Sequence, residues 1–439
     1  MNSKINIHSL IPGGAHTYSK GDDQFSSNVP EEISHGKGAW VFDMDGNSFL
    51  DTTMGLASIS LGHAYEPVLE AVKLELDKGV NFQRPSYIER EMAEAFLEVL
   101  PMHDMVKFAK NGSSVTTAAV KLARAHTGKS IVVFPKDHPF YSYDDWFIGK
   151  TVCDSGVPDS EKELSKTFQS CDIDSLKAIF EKYPNKIACV ISEPEKNTCS
   201  IEGHCKNTPQ EFLVQAIQLC KENNALFILD EMQSGYRTAF PGSMTKYNLT
   251  PDLTTWGKGI ANGFSFCALT GKKEVMELGG IIQKERPRVF LISTTNGAET
   301  HGIRAALKTQ EIFKEQNVIE HNHKIGSLVI EKIRSKVDNA GLANNVQIIE
   351  CPWYPAFNFM DNTGEPSLEL KTLMMQEMIR RQVLFQGFFL PCFCHGEEDV
   401  EFFAKAFEES LVILKMAIKE GVEKHLVGDA IKPVFRNFN

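Results

Sequence analysis

Two uninterrupted apolar runs on either side of a helix signature limit the fold of this 439-residue chain more than any other feature. The runs are Ile187-Ala188-Cys189-Val190-Ile191 and Leu226-Phe227-Ile228-Leu229. A strand that is apolar at every position is buried on both faces, the condition of a parallel sheet covered by helices. Between the runs, Thr208-Pro209-Gln210-Glu211 reads as a helix start, with Thr as N-cap, Pro at the first helical position and Glu closing a capping box. Phe212, Leu213, Ala216, Ile217 and Cys220 then recur on one helical face. Strand, helix, strand predicts an α/β fold, a mostly parallel sheet with helices on both faces. Phe266 to Leu269 is a further strand candidate. In such sheets ligands lie beyond the carboxyl ends of the strands, which is where Glu193 and Asp230 fall.

After Gly302 the pattern changes. A helical stretch runs to about Val337, and short strand candidates follow at Val346–Ile349 and Ala356–Phe359. A final helix carries Val400, Phe403, Phe407, Leu411, Leu414 and Ile418 on one face. This predicts a smaller α+β C-terminal domain. The expected division is an N-terminal segment, 1–65, serving the small domain and the functional site; a large domain, 66–310; and a small domain, 311–439.

With 42% hydrophobic and 23% charged residues the composition is that of an ordinary globular protein. A formal net charge of -11 argues against nucleic acid as a partner. No apolar stretch is long enough to span a bilayer, and Met1-Asn2-Ser3-Lys4-Ile5-Asn6 lacks the apolar core of a signal peptide, so the expected location is the cytoplasm. Ten cysteines are scattered along the chain. The closest set, Cys392-Phe393-Cys394-His395, has no second ligand pair at zinc-site spacing. Reduced thiols and no metal are therefore expected.

The chemistry centres on Lys258, in Thr254-Thr255-Trp256-Gly257-Lys258-Gly259, downstream of the acid Asp230 at a strand end. A lysine in a Gly-flanked turn beside such an acid suits pyridoxal phosphate (PLP): the amine forms a Schiff base with the aldehyde, and the acid keeps the pyridine nitrogen protonated. A second segment, Lys110-Asn111-Gly112-Ser113-Ser114-Val115, puts glycine and hydroxyls at a helix start, a cradle for phosphate. By itself it would be a plain N-cap. His138-Pro139-Phe140-Tyr141-Ser142-Tyr143-Asp144-Asp145-Trp146 offers rings that either stack on a cofactor or form a core cluster under a loop. Ile191-Ser192-Glu193-Pro194 gives a polar strand ending, with Glu193 either an organiser of the site or a solvated loop acid.

Further motifs occur in order: Ile11-Pro12-Gly13-Gly14, Gly36-Lys37-Gly38-Ala39-Trp40-Val41-Phe42-Asp43-Met44-Asp45-Gly46-Asn47, Leu61-Gly62-His63-Ala64, Lys121-Leu122-Ala123-Arg124-Ala125-His126-Thr127-Gly128 and Asp230-Glu231-Met232-Gln233-Ser234-Gly235-Tyr236-Arg237. From about Ile11 to the end, the chain resembles the class III aminotransferases of PLP fold type I, and within them the glutamate-1-semialdehyde aminomutase branch. The resemblance implies that Lys258 is the Schiff-base lysine and proton shuttle, and that Asp230 pairs with the pyridinium nitrogen. It implies that Met232 packs against the ring, Gln233 faces the phenolic oxygen, Gly112 and Ser113 bind the phosphate, and Phe140 stacks. Thr294 or Thr295, in Ser293-Thr294-Thr295-Asn296-Gly297, would reach the phosphate of a neighbouring subunit, which implies a homodimer with shared active sites.

The chain also departs from that branch. Lys20, in His16-Thr17-Tyr18-Ser19-Lys20, stands where the aminomutase has an Arg that grips the substrate carboxylate, and lysine is a weaker clamp. Phe388-Phe389-Leu390-Pro391-Cys392-Phe393 lacks the acidic gating segment, and Ser114 replaces the acid usual after the phosphate-binding hydroxyl. The expected activity is thus an aminotransferase moving an amino group from a donor to an aldehyde or ketone acceptor by ping-pong chemistry. Thr17, Tyr18, Lys20 and Glu193 are candidate substrate contacts, with Tyr143 and Trp146 as further pocket candidates. The alternatives are a glutamate-1-semialdehyde-type aminomutase, another PLP reaction such as racemisation, or a non-catalytic homologue.

Overall fold

The structure, a computed structural model, describes residues 7–138 and 140–438. Residues 1–6, read above for a leader, and Pro139 lie outside the described residues. The chain divides into two compact units. The larger comprises Ala57–Leu61 and Tyr65–Glu320; the smaller comprises the chain up to Leu56, Gly62–Ala64, and His321 onward.

The smaller unit begins with three strands, β1 (Ile33–Lys37), β2 (Trp40–Asp43) and β3 (Ser48–Asp51), paired antiparallel in sequence order. Asp43 closes the β2–β3 turn by accepting the N–H groups of Asp45 and Asn47 at 3.0 and 2.8 Å, and Gly46 provides the positive φ of 86°. The Gly36-to-Asn47 motif is therefore a hairpin built for geometry. His63, from another of the motifs, sits with Nε2 2.9 Å from Asp51 Oδ2 and fixes that buried carboxylate.

In the larger unit, seven strands form one sheet: β4 (Met105–Ala109), β5 (Ile131–Pro135), β6 (Ser165–Phe168), β7 (Ile187–Ser192), β8 (Leu226–Asp230), β9 (Leu253–Trp256) and β10 (Cys267–Gly271). Their order across the sheet is β4-β10-β9-β8-β7-β5-β6. The pairs β5/β6, β5/β7, β7/β8 and β8/β9 are parallel, while β10 runs antiparallel to both β9 and β4. β4 consequently points the same way as the parallel set. Every residue of β5, β7, β8, β9 and β10 is buried, the double-sided coverage that their apolar runs require. Helix Pro209–Glu222 joins β7 to β8 and starts as its sequence predicts: Thr208 Oγ1 accepts the Glu211 N–H at 3.3 Å, and Glu211 Oε2 accepts the Thr208 N–H at 3.0 Å.

In the smaller unit the chain continues with the antiparallel pair β11 (Val346–Ile349) and β12 (Ala356–Phe359), and with β13 (Val383–Leu384), parallel to β3. The helical stretch after Gly302 is two helices, Thr300–Glu315 and Val318–Ala340, because Gln316 turns to an extended backbone (φ -124°, ψ 150°). The final helix, Glu397–Glu420, buries Val400, Phe403, Phe407, Leu411 and Leu414, and Ile418 packs against the same core. There Phe357 and Phe407 meet with ring centroids 5.2 Å apart, and Phe389 and Phe403 at 5.1 Å.

The capping box predicts a local effect. Thr208→Ala is expected to cost helix Pro209–Glu222 about 1 kcal/mol, so that its first-turn amides exchange about fivefold faster in hydrogen-exchange mass spectrometry. Unchanged exchange would mean that packing alone holds the helix start.

Candidate active site

Parallel alignment of β4, β5, β7, β8 and β9 brings the segments that follow them to one edge of the sheet. Those segments carry Gly112, His138, Glu193 and Lys258, and Asp230 is the last residue of β8 at the same edge. Lys258 opens the short 3-10 turn Lys258–Ala261 after β9, with φ +50°, a left-handed conformation that costs a non-glycine residue energy. Gly257 before it is extended, yet a side chain there is barred by close approach: a Cβ would stand 2.3 Å from Met232 Sδ and 2.7 Å from Cys267 Sγ. Asn262 locks the turn, accepting the N–H groups of Ser60 and Leu61 at 3.1 and 2.8 Å through Oδ1, while Ser60 Oγ donates to the Gly259 carbonyl at 2.6 Å.

Lys258 Nζ donates to Gln233 Oε1. Burial draws the amine below the ordinary lysine range; Glu193 pulls it back up, Arg237 adds to the lowering, and Asp230 opposes it. Arg237 is itself buried, with Nη1 donating to the Gln233 carbonyl at 2.9 Å and Nη2 to the Ala57 carbonyl. Asp230 is fixed through Oδ1, which accepts the Met232 N–H at 2.9 Å and the Thr255 hydroxyl at 2.8 Å from its register partner on β9. Burial, then the charge of Glu193, raises its pKa. Burial would raise Glu193 as well, but His138, 2.9 Å away through Nε2, holds it below the usual carboxylate range. His138 Nδ1 accepts the Phe140 N–H at 3.0 Å, and Nε2 on the other side of the ring lies 2.9 Å from Glu193 Oε2. The His138 ring stacks on buried Tyr141 with centroids 3.5 Å apart, and Tyr141 Oη accepts the Glu193 N–H at 3.1 Å.

Helix Gly112–Thr127 begins at the same edge. Its cap, Asn111, takes the Ser114 N–H at 2.9 Å, leaving the Gly112 and Ser113 amides with no intrahelical acceptor. Ser113 is buried, and its hydroxyl accepts the Tyr143 N–H at 3.2 Å. Met232 lies against this start, its Sδ 3.1 Å from where a Cβ on Gly112 would be. Phe140 is half exposed, edge-on to Phe147 at 5.9 Å. Trp146 is buried and donates to Thr117 Oγ1 at 2.9 Å, so its role is packing, whereas the Tyr143 ring is exposed.

Among the described residues of the larger unit, two expected ones are not joined to this cluster. Thr294 and Thr295 are exposed, and no hydrogen bond links either to Lys258 or Asp230 among the described residues; the Thr295 carbonyl accepts from Asn81 Nδ2 at 3.1 Å. Thr17, Tyr18 and Lys20 belong to the smaller unit, where Thr17 precedes the 3-10 turn Tyr18–Lys20 and the side chains of Tyr18 and Lys20 are exposed. Cys392 and His395 form a closed local turn, the Cys392 N–H donating to His395 Nδ1 at 3.0 Å. Sequence alone assigned no role to Arg237 or Asn262 and did not pair His138 with Glu193; Arg237, His138 and Glu193 stood in segments that drew attention, and Asn262 did not.

The profile of the family described as Aminotransferase class-III matches residues 22–347. The chain belongs to this family. It is an enzyme of amino-group transfer whose cofactor is PLP. It is 28% identical over 410 residues to the 3-aminobutyryl-CoA aminotransferase of Cloacimonas acidaminovorans (strain Evry), covering 92% of this chain and 95% of that one. With the glutamate-1-semialdehyde 2,1-aminomutase of Francisella tularensis subsp. tularensis (strain WY96-3418) it shares 32% identity over 317 residues, 69% of this chain and 70% of the relative. In fold it is similar to an omega-transaminase from Sphaerobacter thermophilus, with a TM-score of 0.80 at 22% identity over 93% of this chain and 96% of that chain.

One acid at this edge titrates in an accessible range. Glu231, with Ser234 Oγ (2.5 Å) and Ser243 Oγ (3.3 Å) on Oε2 and the Met244 N–H (3.2 Å) on Oε1, is pushed up to about 7 by burial. Its folded pKa lies above the ordinary value of 4.5, so its contribution to stability is full below that value and is lost as pH rises through about 7. Glu231→Gln removes this titration. Wild-type unfolding midpoints are expected to fall relative to the variant between about pH 5 and about pH 8, and a gap constant with pH would contradict the assignment.

Proposed function

We propose that the enzyme carries out intermolecular transamination at the Lys258 edge, taking an amino group from a small donor and passing it to an aldehyde or ketone acceptor. The observation that carries this reading is the pairing of a desolvated Lys258 amine with the buried Asp230 carboxylate at the ends of adjacent parallel strands. The donor set fits PLP: an amine for its aldehyde, a carboxylate for its ring nitrogen, and a helix start with a buried hydroxyl for its phosphate.

When bound, PLP supplies an aldehyde that takes up an amino group and a ring that stores the electron pair freed when the substrate Cα–H bond breaks. The chain supplies the rest. Lys258 Nζ, its pKa drawn down by desolvation, takes the proton from the donor Cα and in the second half returns one to the former carbonyl carbon of the acceptor. Asp230, its Oδ1 fixed by Met232 and Thr255, keeps Oδ2 for the proton on the ring nitrogen. The amides of Gly112 and Ser113 and the Ser113 hydroxyl would hold the cofactor's phosphate. Met232 and Phe140 would bound the ring of the cofactor. Gln233, whose Oε1 holds Lys258, has Nε2 for the phenolic oxygen. Glu193, kept ionised by His138, balances the positive charge around Lys258. Thr17, Tyr18 and Lys20 serve the substrate, with Lys20 a point charge for a carboxylate.

The exposed Thr294 and Thr295 support a homodimer in which one of them reaches the neighbouring subunit's phosphate. The proposed location is the cytoplasm. Lys20 at the clamp position, Ser114 and the apolar Phe388-to-Phe393 stretch favour transamination over the aminomutase reaction that some relatives are named for.

The test is a single half-reaction. PLP-loaded enzyme given candidate donors without acceptor, beginning with L-glutamate, is expected to release about one oxo acid per site, and Lys258→Ala to slow turnover at least about a hundredfold. An isomerised amine with no oxo acid would assign an aminomutase, and full turnover in the variant would remove Lys258 as the base.

A further inference from the structure

Three cysteines that sequence spacing does not group meet in the larger unit. Cys171 follows β6, Cys199 lies in the 3-10 turn Asn197–Ser200 beyond β7, and Cys205 comes shortly after it. Their Sγ atoms all lie within 4.8 Å of one another, with Cys171 and Cys199 at 3.6 Å and all three thiols free. Around a tetrahedral zinc ion with Zn–S bonds of about 2.3 Å, sulfur atoms stand about 3.8 Å apart. One cation therefore spans this triangle with small side-chain adjustments. All three residues are only half buried, unlike the packed thiols Cys189, Cys220 and Cys267, so apolar packing does not account for their convergence and a solvated ion has access.

The segments are held in place by bonds other than the thiols. The Cys171 backbone adopts φ +52°, and its carbonyl accepts the Asn207 N–H at 2.9 Å, while Asn207 Oδ1 accepts the Ile173 N–H at 3.1 Å. The Cys199 N–H donates to the Lys196 carbonyl at 3.0 Å. Lys196 Nζ in turn reaches Asp137 Oδ2 at 3.0 Å, and the Asp137 carboxylate accepts the hydroxyl of Ser170, next to Cys171. The loops after β5, β6 and β7 are thus tied together around the thiol triangle.

We propose that Cys171, Cys199 and Cys205 form a three-thiolate site for a d10 cation, with Zn²⁺ the first choice and water as the fourth ligand. Sulfur donors select such ions over Mg²⁺ or Ca²⁺, which take oxygen. Binding replaces three S–H bonds by three Zn–S bonds and releases three protons to solvent, with no change of oxidation state. The cation would clamp the loop that begins with Glu193 to the loop after β6. This site is separate from the amino-transfer chemistry and stands or falls without it.

Reduced holoenzyme equilibrated with Zn²⁺ and then dialysed is to be analysed for metal and by zinc-edge X-ray absorption. The expected result is one zinc per chain with three sulfur neighbours at about 2.3 Å. Cys171→Ser and Cys199→Ser are each expected to lose that zinc while keeping the wild-type PLP content, which reports the fold. No zinc retained by the wild type, zinc bound only through nitrogen and oxygen, or full zinc retention by the variants would overturn the proposal. Should a variant fail to load PLP, the sulfur count around zinc in the wild type decides alone.

Discussion

Parallel strand direction is the constraint on which the site depends. β5, β7, β8 and β9 run one way because the connections between them pass through covering helices, and the antiparallel β10 returns β4 to the same direction. Five segments far apart in sequence therefore emerge at one edge. This order brings a helix start at Gly112, an acid at Asp230 and an amine at Lys258 to the same edge through the strand ends alone. The apolar strand interiors set this arrangement, since only a sheet covered on both faces buries them all.

Electrostatics then act on that edge. Desolvation is the largest influence on Lys258, Glu193 and Asp230 alike, but the outcomes differ with the neighbours. His138 rescues the charge of Glu193, while Asp230 has only neutral hydrogen-bond donors on Oδ1 and feels the Glu193 charge, so its carboxyl is raised. A cationic ring nitrogen beside Asp230 would supply the missing counter-charge. The edge thus sets a raised carboxyl at Asp230 beside an amine drawn below the ordinary lysine range at Lys258.

Features governed by local chemistry were legible in the sequence. The capping box at Thr208 to Glu211, the buried strands around it and the β11/β12 pair arise from contacts within a few residues or from apolar pattern. What escaped depends on register and long-range closure. The Ala57–Leu61 stretch belongs to the larger unit because Asn262, some 200 residues on, accepts its N–H groups, and no pattern in that stretch announces this. The break at Gln316 is likewise silent, having neither Gly nor Pro. Spacing drew attention to Cys392, Cys394 and His395, whereas the fold gathers Cys171, Cys199 and Cys205 from loops that only the sheet order brings together. His138 and Glu193 were visible as a loop histidine and a strand-end acid, but their pairing follows from β5 lying beside β7.

The most direct measurement fixes the cofactor to the residue that holds it. PLP-loaded enzyme reduced with borohydride, digested and analysed by mass spectrometry is expected to carry the reduced cofactor on the peptide containing Lys258 and on no other lysine. A label on a different lysine, or no covalent label after full loading, would contradict the assignment of the sheet edge at Lys258 as the seat of the chemistry.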